Sequence, residues 1–281
     1  MPQLAEILST LDLTASDDGV FTAQQWDNDN HHIIGGHIAA QALMAASRTV
    51  DDRLPHSLHV YLLRAGDARY PVQMQVSTLR DGGSLSTRQV TARQGDDVLL
   101  EALVSFSVPM EAADYQQPLP AVPDPDTLPT VQDQLRPFAD EAGGFWVRPQ
   151  WIQRRYIDPP PRLALELPQP PERTRVWWRP SEPVGEDPVV NSCLLTYFSG
   201  TAMLEATLVK RRATQVSVFN ALIDHALWFH RPADLTDWVL SDQVSPSGIH
   251  GRGLATATMY NRAGQLVCSA TQEMYFGRGR G

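Results

Sequence analysis

Lysine is nearly missing from this chain: Lys210 is the single one, and every other basic side chain apart from histidine is arginine. Arginine holds phosphate or carboxylate in a two-pronged fork that lysine cannot make, so individual arginines become candidates for anion contacts. A coding bias toward arginine explains most of them more simply. Basic charge is also short overall. The formal net charge is −9, which argues against nonspecific nucleic-acid binding, because that needs a basic surface to displace counterions from phosphates. Cysteine is scarce. Cys193 and Cys268 both sit inside apolar runs, which speaks against a disulfide framework and fits a reducing compartment. No apolar run reaches the ~18 residues of a membrane-spanning helix. The N-terminal stretch "MPQLAEILSTLDLTASDDG" has no basic segment followed by an apolar one, so the expected location is the cytoplasm. Several motifs are missing too. There is no G-x-S-x-G elbow, no P-loop and no strand–GxGxxG–helix unit. His31, His32 and His37 lie close in sequence without the ligand spacing of a zinc site, so no metal is expected.

What is present falls into two similar blocks, and 281 residues leave room for two domains of ~100–150 residues. "LAEILSTLDL" spaces its apolar residues as a short amphipathic helix does, and "VFTAQQW", residues 20–26, reads as a strand. "GGHIAAQALMAASRTV", residues 35–50, is small or apolar on nearly every side, which marks a helix buried all round. From residue 57 to 108 the period becomes two, with turn signals at "RDGGS" and "QGDD", as in a meander of long antiparallel strands. Residues 109–145 are rich in Pro and Asp and read as a linker with one short helix near "TVQDQLRPF". Strand-like pieces follow in "FWVRPQWIQRRYI" and "RTRVWWRP". Then the order repeats, with an all-round apolar helix over 188–210 and strand periodicity over 215–276.

The second block echoes the first in detail. "HVYLLRAGD" (59–67) matches "LWFHRPAD" (227–234), and "RQGDDVLLEALVSF" (93–106) matches "NRAGQLVCSATQEMYF" (261–276). An internal duplication of a unit of roughly 100 residues accounts for both. Two such sheets are expected to join edge to edge, because that covers two exposed edges at once. The predicted class is α+β, with an N-terminal unit at 1–110, a linker at 111–145 and a C-terminal unit at 146–281.

Five strings in order, "GGHIAAQAL", "HSLHVYLLRAGD", "TLRDGGSLSTRQV", "IDHALWFHRP" and "SATQE", resemble the acyl-CoA thioesterase II family, spanning about residues 20 to 277. The resemblance implies a double hotdog: two antiparallel sheets, each wrapped on a long central helix and joined into one continuous sheet. It implies an acyl-CoA substrate, its acyl chain in a slot beside the central helix, hydrolysed by water to fatty acid and CoA. No metal, no covalent enzyme intermediate and no cofactor beyond the CoA of the substrate are implied. Slot depth would follow the packing of residues such as Met44, Leu194 and Met203. In that family three polar side chains of the C-terminal half orient the water: a carboxylate on the second central helix, a Thr or Ser on the next strand, and a Gln near the end of the last strand. Backbone N–H groups near a helix start would polarise the thioester oxygen.

Carried over residue by residue, this pattern is met once. Gln272 in "SATQEMYF" holds the last-strand position. The strand hydroxyl, two residues before the Asp of "IDH", is Leu222, and the helix carboxylate falls on Gly200. Thr201 lies about 100° round a helix from Gly200 and Glu205 some 140°, so neither shares its face. Asp224, His225 and His59 are further candidates, although Asp224 and His225, adjacent on a strand, point to opposite faces. The simpler readings make Asp224 a carboxylate held by strand neighbours or an arginine, and His59 a satisfied sheet histidine. Arg64 and Arg231 occupy matching R-x-x-D turns, with Asp67 and Asp234 three residues on. A local ion pair is the simple expectation there, and contact with CoA phosphates the sharper one.

Two readings stand beside hydrolysis. Gly200 and Leu222 also fit a degenerate member that binds acyl-CoA or lipid and turns over little. In "DNDNHH", residues 27–32, Asp27 and His32 have the spacing that hotdog hydratases use ahead of a central helix, and an enoyl-CoA would then be the substrate. Because the chain supplies both units of a hotdog pair, a monomer can be complete; association of copies through the sheets is the other expected state.

Overall fold

Two stretches that are apolar all round must each be covered on every side, and one long sheet supplies the cover. The computed structural model describes residues 2–17, 19–214 and 219–277. The first half comprises α1 (Leu4–Leu11), β1 (Thr14–Asp17), β2 (Val20–Ala23), the central helix α2 (Gly35–Ser47) and the meander β3 (Leu54–Leu62), β4 (Val72–Asp81), β5 (Leu85–Gln94) and β6 (Asp97–Ser107). The connecting segment holds α3 (Val131–Leu135). The second half has β7 (Ile152–Tyr156), the one-turn α4 (Pro161–Ala164), β8 (Thr174–Pro180), and the helices α5 (Pro188–Ala202) and α6 (Leu204–Arg211). Its meander is β9 (Phe219–Phe229), β10 (Val239–Ile249), β11 (Arg252–Asn261) and β12 (Leu266–Gly277).

Among the described residues these strands form one twelve-stranded antiparallel sheet in the order β1-β2-β4-β5-β6-β3-β9-β12-β11-β10-β8-β7. The repeats meet edge to edge where β3 pairs with β9, with Leu58 opposite Leu227 and Val60 opposite His225. α2 and α5 pack against each other and against the sheet. Leu58, Val60, Val104, Leu227 and Ala270 are all buried beneath them, so strand alternation sends one face to the helices and the other outward. Among the described residues no helix is long and apolar enough to cross a membrane.

Two elements differ from the sequence expectation. β2 stops at Ala23, short of residue 26, because the Gln41 amide on α2 donates to the Gln24 carbonyl (2.8 Å) and the Thr10 carbonyl (2.9 Å). Backbone past Ala23 therefore bonds to a helix side chain instead of a strand. The expected helix over 188–210 is two helices parted at Met203. Their apolar faces have different targets. α5 buries Leu194, Leu195 and Phe198 in the main core, while α6 turns Leu204 and Leu208 into a separate cluster with Met274 and Phe276. Residues 215–218, where strand periodicity resumes in sequence, lie outside the described residues.

The Pro/Asp-rich segment is exposed over residues 109–118 and docks on the sheet from Leu119 onward. Leu119, Val122 and Leu128 pack on Trp177, Trp238, Leu240 and Tyr260, on the sheet face away from α5. The Trp177 indole donates to the Pro123 carbonyl (3.0 Å), and Arg262 pairs with Asp124 (2.8 Å) and Asp126 (2.7 Å). The aspartates of this strap thus have a partner, and Val131 and Leu135 of α3 reach the main core.

Candidate active site

The two central helices begin differently. At α5, Asp187 accepts hydrogen bonds from the N–H groups of Val189 (2.8 Å) and Val190 (3.3 Å), and Pro188 removes another donor. α2 instead follows Ile34, whose side chain accepts no hydrogen bond. Among the described residues no acceptor meets the N–H of Gly35 or Gly36, and Gly36 is buried. Unused N–H groups at a helix start, with the partial positive charge of the helix behind them, attract an oxygen that gains negative charge.

This open turn faces α5. A Cβ on Gly36 would lie 2.7 Å from the Tyr197 carbonyl oxygen, and one on Gly200 would lie 2.6 Å from the Gly36 Cα. The helices therefore cross in backbone contact, which a side chain at either position would disturb. β9 and β3 close the same place: a Cβ on Gly35 would be 3.1 Å from the Leu222 Cβ of β9 and 2.9 Å from the Leu62 Cδ2 of β3.

The register of β12 on β9 sets Gln272 opposite His225, and both side chains are buried. The Gln272 amide spans the helix break. In the amide orientation that its neighbours require, with the oxygen toward the N–H and the nitrogen toward the carbonyl, Nε2 donates to the Ser199 carbonyl (3.3 Å) and Oε1 accepts from the Leu204 N–H (3.2 Å). A primary amide has two N–H donors and two lone pairs, so one of each remains to orient a water. The His225 Nε2 lies 2.8 Å from the Ser199 Oγ. Burial lowers this imidazole to about 3, so it is neutral near pH 7. Gly200 and Leu222 thus meet at the start of α2, Gln272 reaches the Ser199 carbonyl one residue from Gly200, and two of the three bring no polar side-chain atom.

The other sequence candidates lie elsewhere. The Thr201 hydroxyl turns back to the carbonyls of Tyr197 (2.8 Å) and Phe198 (3.0 Å). Glu205, past the break, accepts from Arg154 (2.8 Å) and from the Tyr156 hydroxyl (2.8 Å at its nearer oxygen), tying α6 to the edge strand β7. Burial lifts its carboxyl above the ordinary value, against Arg154 and Tyr156, which pull it down. Asp224 faces away from α5 and accepts from the Glu273 N–H (3.1 Å). Partial burial raises its pKa, the bond from the Glu273 N–H lowers it, and the Glu273 charge raises it again. His59 is exposed on the outer face, edge-on to Trp228 with ring centres 5.2 Å apart.

Neither expected local ion pair forms. Arg64 pairs with Asp97 (2.8 Å), whereas Asp67 holds Arg69 (2.6 Å). Arg231 reaches Asp114 of the strap and the Leu266 carbonyl. The reason is local: Asp67 and Asp234 each accept the N–H two residues on, at Arg69 and Thr236, which turns the carboxylates away from the preceding arginines. Of the hydratase-spaced residues, Asp27 pairs with His31 (2.7 Å), and His32 lies in a β-bridge with Asp67. His37 is buried against the Thr10 hydroxyl (2.7 Å), so the three early histidines do not meet. Among the described residues no group of three metal-ligating side chains occurs. Met44, Leu194 and Met203 are buried. A cleft of about 520 Å³, lined by Leu8, Leu11, Met44, Arg48 and Val190 among others, opens roughly 13 Å along α2 from Gly35. It contains none of the converging residues.

The chain matches the family models described as acyl-CoA thioesterase N-terminal domain, over residues 22–107, and acyl-CoA thioesterase, over residues 165–275. It is 31% identical to acyl-CoA thioesterase 2 of Haemophilus influenzae, with 96% of each chain covered. The chain belongs to the acyl-CoA thioesterase family. Among solved thioesterase-family structures, a tesB protein of Mycobacterium avium subsp. paratuberculosis is 40% identical, covers 98% of this chain and 100% of its own, and superposes with a TM-score of 0.83. The acyl-CoA thioesterase II TesB2 of Mycobacterium marinum is 32% identical over 99% of this chain and 98% of its own, with a TM-score of 0.78. The fold of this thioesterase-family chain is the double hotdog. The family strings single out Gln272, and the sequence offers His225 as a candidate without its partner Ser199. The available signal was an inward-facing His on a strand beside an otherwise apolar helix.

Proposed function

We propose that this chain hydrolyses fatty acyl-CoA thioesters to free fatty acid and CoA at the start of α2. The observation that carries the proposal is the uncapped first turn of α2, with Gln272 beyond Gly200. The thioester carbonyl oxygen takes the N–H groups of Gly35 and Gly36, which are oriented before the substrate arrives. As water adds, the charge on that oxygen grows and the two bonds strengthen; one such donor is worth about 3–4 kcal/mol in the transition state. The free donor and acceptor of Gln272 orient the attacking water. The tetrahedral intermediate then collapses with loss of the CoA thiolate. The reading needs no metal and no cofactor beyond the CoA of the substrate, and it takes the protein to be cytoplasmic. One copy holds the whole site, so a monomer suffices whether or not copies associate through their sheets. An acyl-CoA chain-length series with a thiol-trapping dye tests this: equimolar CoA and fatty acid should appear at one or more lengths.

A second reading is favoured by the missing polar atoms at Gly200 and Leu222: the site binds acyl-CoA with little turnover. Saturable binding at lengths where no CoA is released would establish it in place of hydrolysis.

A further inference from the structure

Hydrolysis as proposed above still lacks a proton acceptor. Gly200 and Leu222 offer none, an amide is not basic, Glu205 is tied to Arg154 and Tyr156, and Asp224 faces away. One titratable side chain does reach the cluster. The His225 Cδ2 would be 3.6 Å from a Cβ on Gly200, and Gln272 lies directly across the ladder. The Thr271 carbonyl bonds to the same ring. With Nδ1 donating to Thr271, Nε2 is left to accept, and the single proton of the Ser199 hydroxyl sits on the 2.8 Å contact to Nε2 in preference to the longer one, 3.2 Å to the Thr196 carbonyl. Ser199 is the hub, because its carbonyl holds the Gln272 amide and its hydroxyl holds His225.

The fold does not require this polar pair. In the first repeat the equivalent ladder position joins Leu58 to Val104, both fully buried, as the equivalent position joins His225 to Gln272 in the second. A buried polar set costs free energy relative to such an apolar pair unless fully bonded. It occurs in the half that faces the open turn of α2.

We propose that Ser199 and His225 together replace the carboxylate and hydroxyl missing at positions 200 and 222. The Ser199 hydroxyl accepts a hydrogen bond from the water that Gln272 orients, and His225 takes the proton through it. As the water oxygen bonds to the thioester carbon, its proton passes to Ser199 Oγ and the serine proton passes to His225 Nε2. When the carbon–sulfur bond breaks, the same path returns one proton to the thiolate. The products are the carboxylic acid and CoA thiol, and Ser199 forms no bond to carbon. Ser199 is the catalytic residue of the pair and His225 acts through it.

The inference rests on the hydrolytic reading, and S199A and H225Q test it on the full chain. A general base contributes typically ~100-fold or more. Each variant that melts as a folded protein should lose about that much in kcat with KM within about threefold. A purely structural pair would move stability and KM with no selective loss of kcat. Ala is the best helix former, so S199A remains informative where H225Q does not fold. S199A with parental kcat overturns the relay, whatever H225Q does. A parent that releases no CoA at any chain length overturns the hydrolytic reading and this inference together. A parent that turns over and is matched by S199A overturns this inference alone.

Discussion

Gln272 on β12 and His225 on β9 are direct cross-strand partners, and both side chains end on Ser199, one at its carbonyl and the other at its hydroxyl. The strand register therefore places the two polar groups of the C-terminal sheet at the point where α5 breaks. Because Gln272 joins the Ser199 carbonyl near the end of α5 to the first N–H of α6, its removal should cost stability as well as activity. In Q272A the Ser199 carbonyl and the Leu204 N–H lose a buried partner, and a loss of about 1–3 kcal/mol is expected in urea unfolding. Stability equal to the parent would show that the amide does not bridge the break.

Restoring a carboxylate on the helix is expected to harm the protein. A Cβ at position 200 would stand 2.6 Å from the Gly36 Cα, so G200D must push α2 and α5 apart, at about 1–3 kcal/mol. Denaturant midpoints and CoA release from G200D and L222T check this. G200D should be less stable and no faster than the parent; a stable, faster G200D would mean that the helix crossing has room for an acid.

The Arg154–Glu205 pair gives a prediction in pH. Burial raises the folded-state Glu205 carboxyl above its ordinary 4.5, so the folded protein binds that proton more tightly than the unfolded chain. The stability from this group is fully present below pH 4.5 and is lost as the pH rises through the higher folded value. R154M leaves the carboxylate buried without its cation, at an expected cost of about 3–5 kcal/mol near neutrality. The cost should shrink on acidification as Glu205 takes up a proton. Urea unfolding at two pH values reads this, and a larger deficit at the lower pH contradicts it.

Residues on the outer sheet face provide the control. His59, exposed beside Trp228, and Asp224, bonded to the Glu273 N–H, both point away from α5. H59A and D224N are expected to keep kcat within about threefold of the parent. A loss of a hundredfold or more in kcat in either variant would move the site to the other face.

Much of this arrangement was readable in the sequence because it rests on short periods and on repetition. The all-round apolar helix at 35–50, the period-two runs and the matched strings around Arg64 and Arg231 gave two similar halves and their edge-to-edge join. Strand parity alone set Asp224 and His225 on opposite faces. What escaped depends on partners distant in the chain. The break at Met203 arises because α5 and α6 bury into different clusters, which a continuous apolar run does not reveal. The Arg154–Glu205 tie spans 51 positions, and the Ser199–His225 contact spans 26. The ion pairs of Arg64 and Arg231 were misread because sequence spacing cannot show that Asp67 and Asp234 are already bonded to the backbone of their own turns.

Hydrolysis is proposed to take place between the start of α2 and Gln272. The most direct measurement is CoA release by the parent and by folded Q272A on the acyl-CoA length that the parent turns over fastest. The parent is expected to exceed the variant by about a hundredfold in kcat, as the loss of a positioned transition-state group would give. Equal rates in the two proteins, or no CoA released by the parent at any chain length, would contradict it.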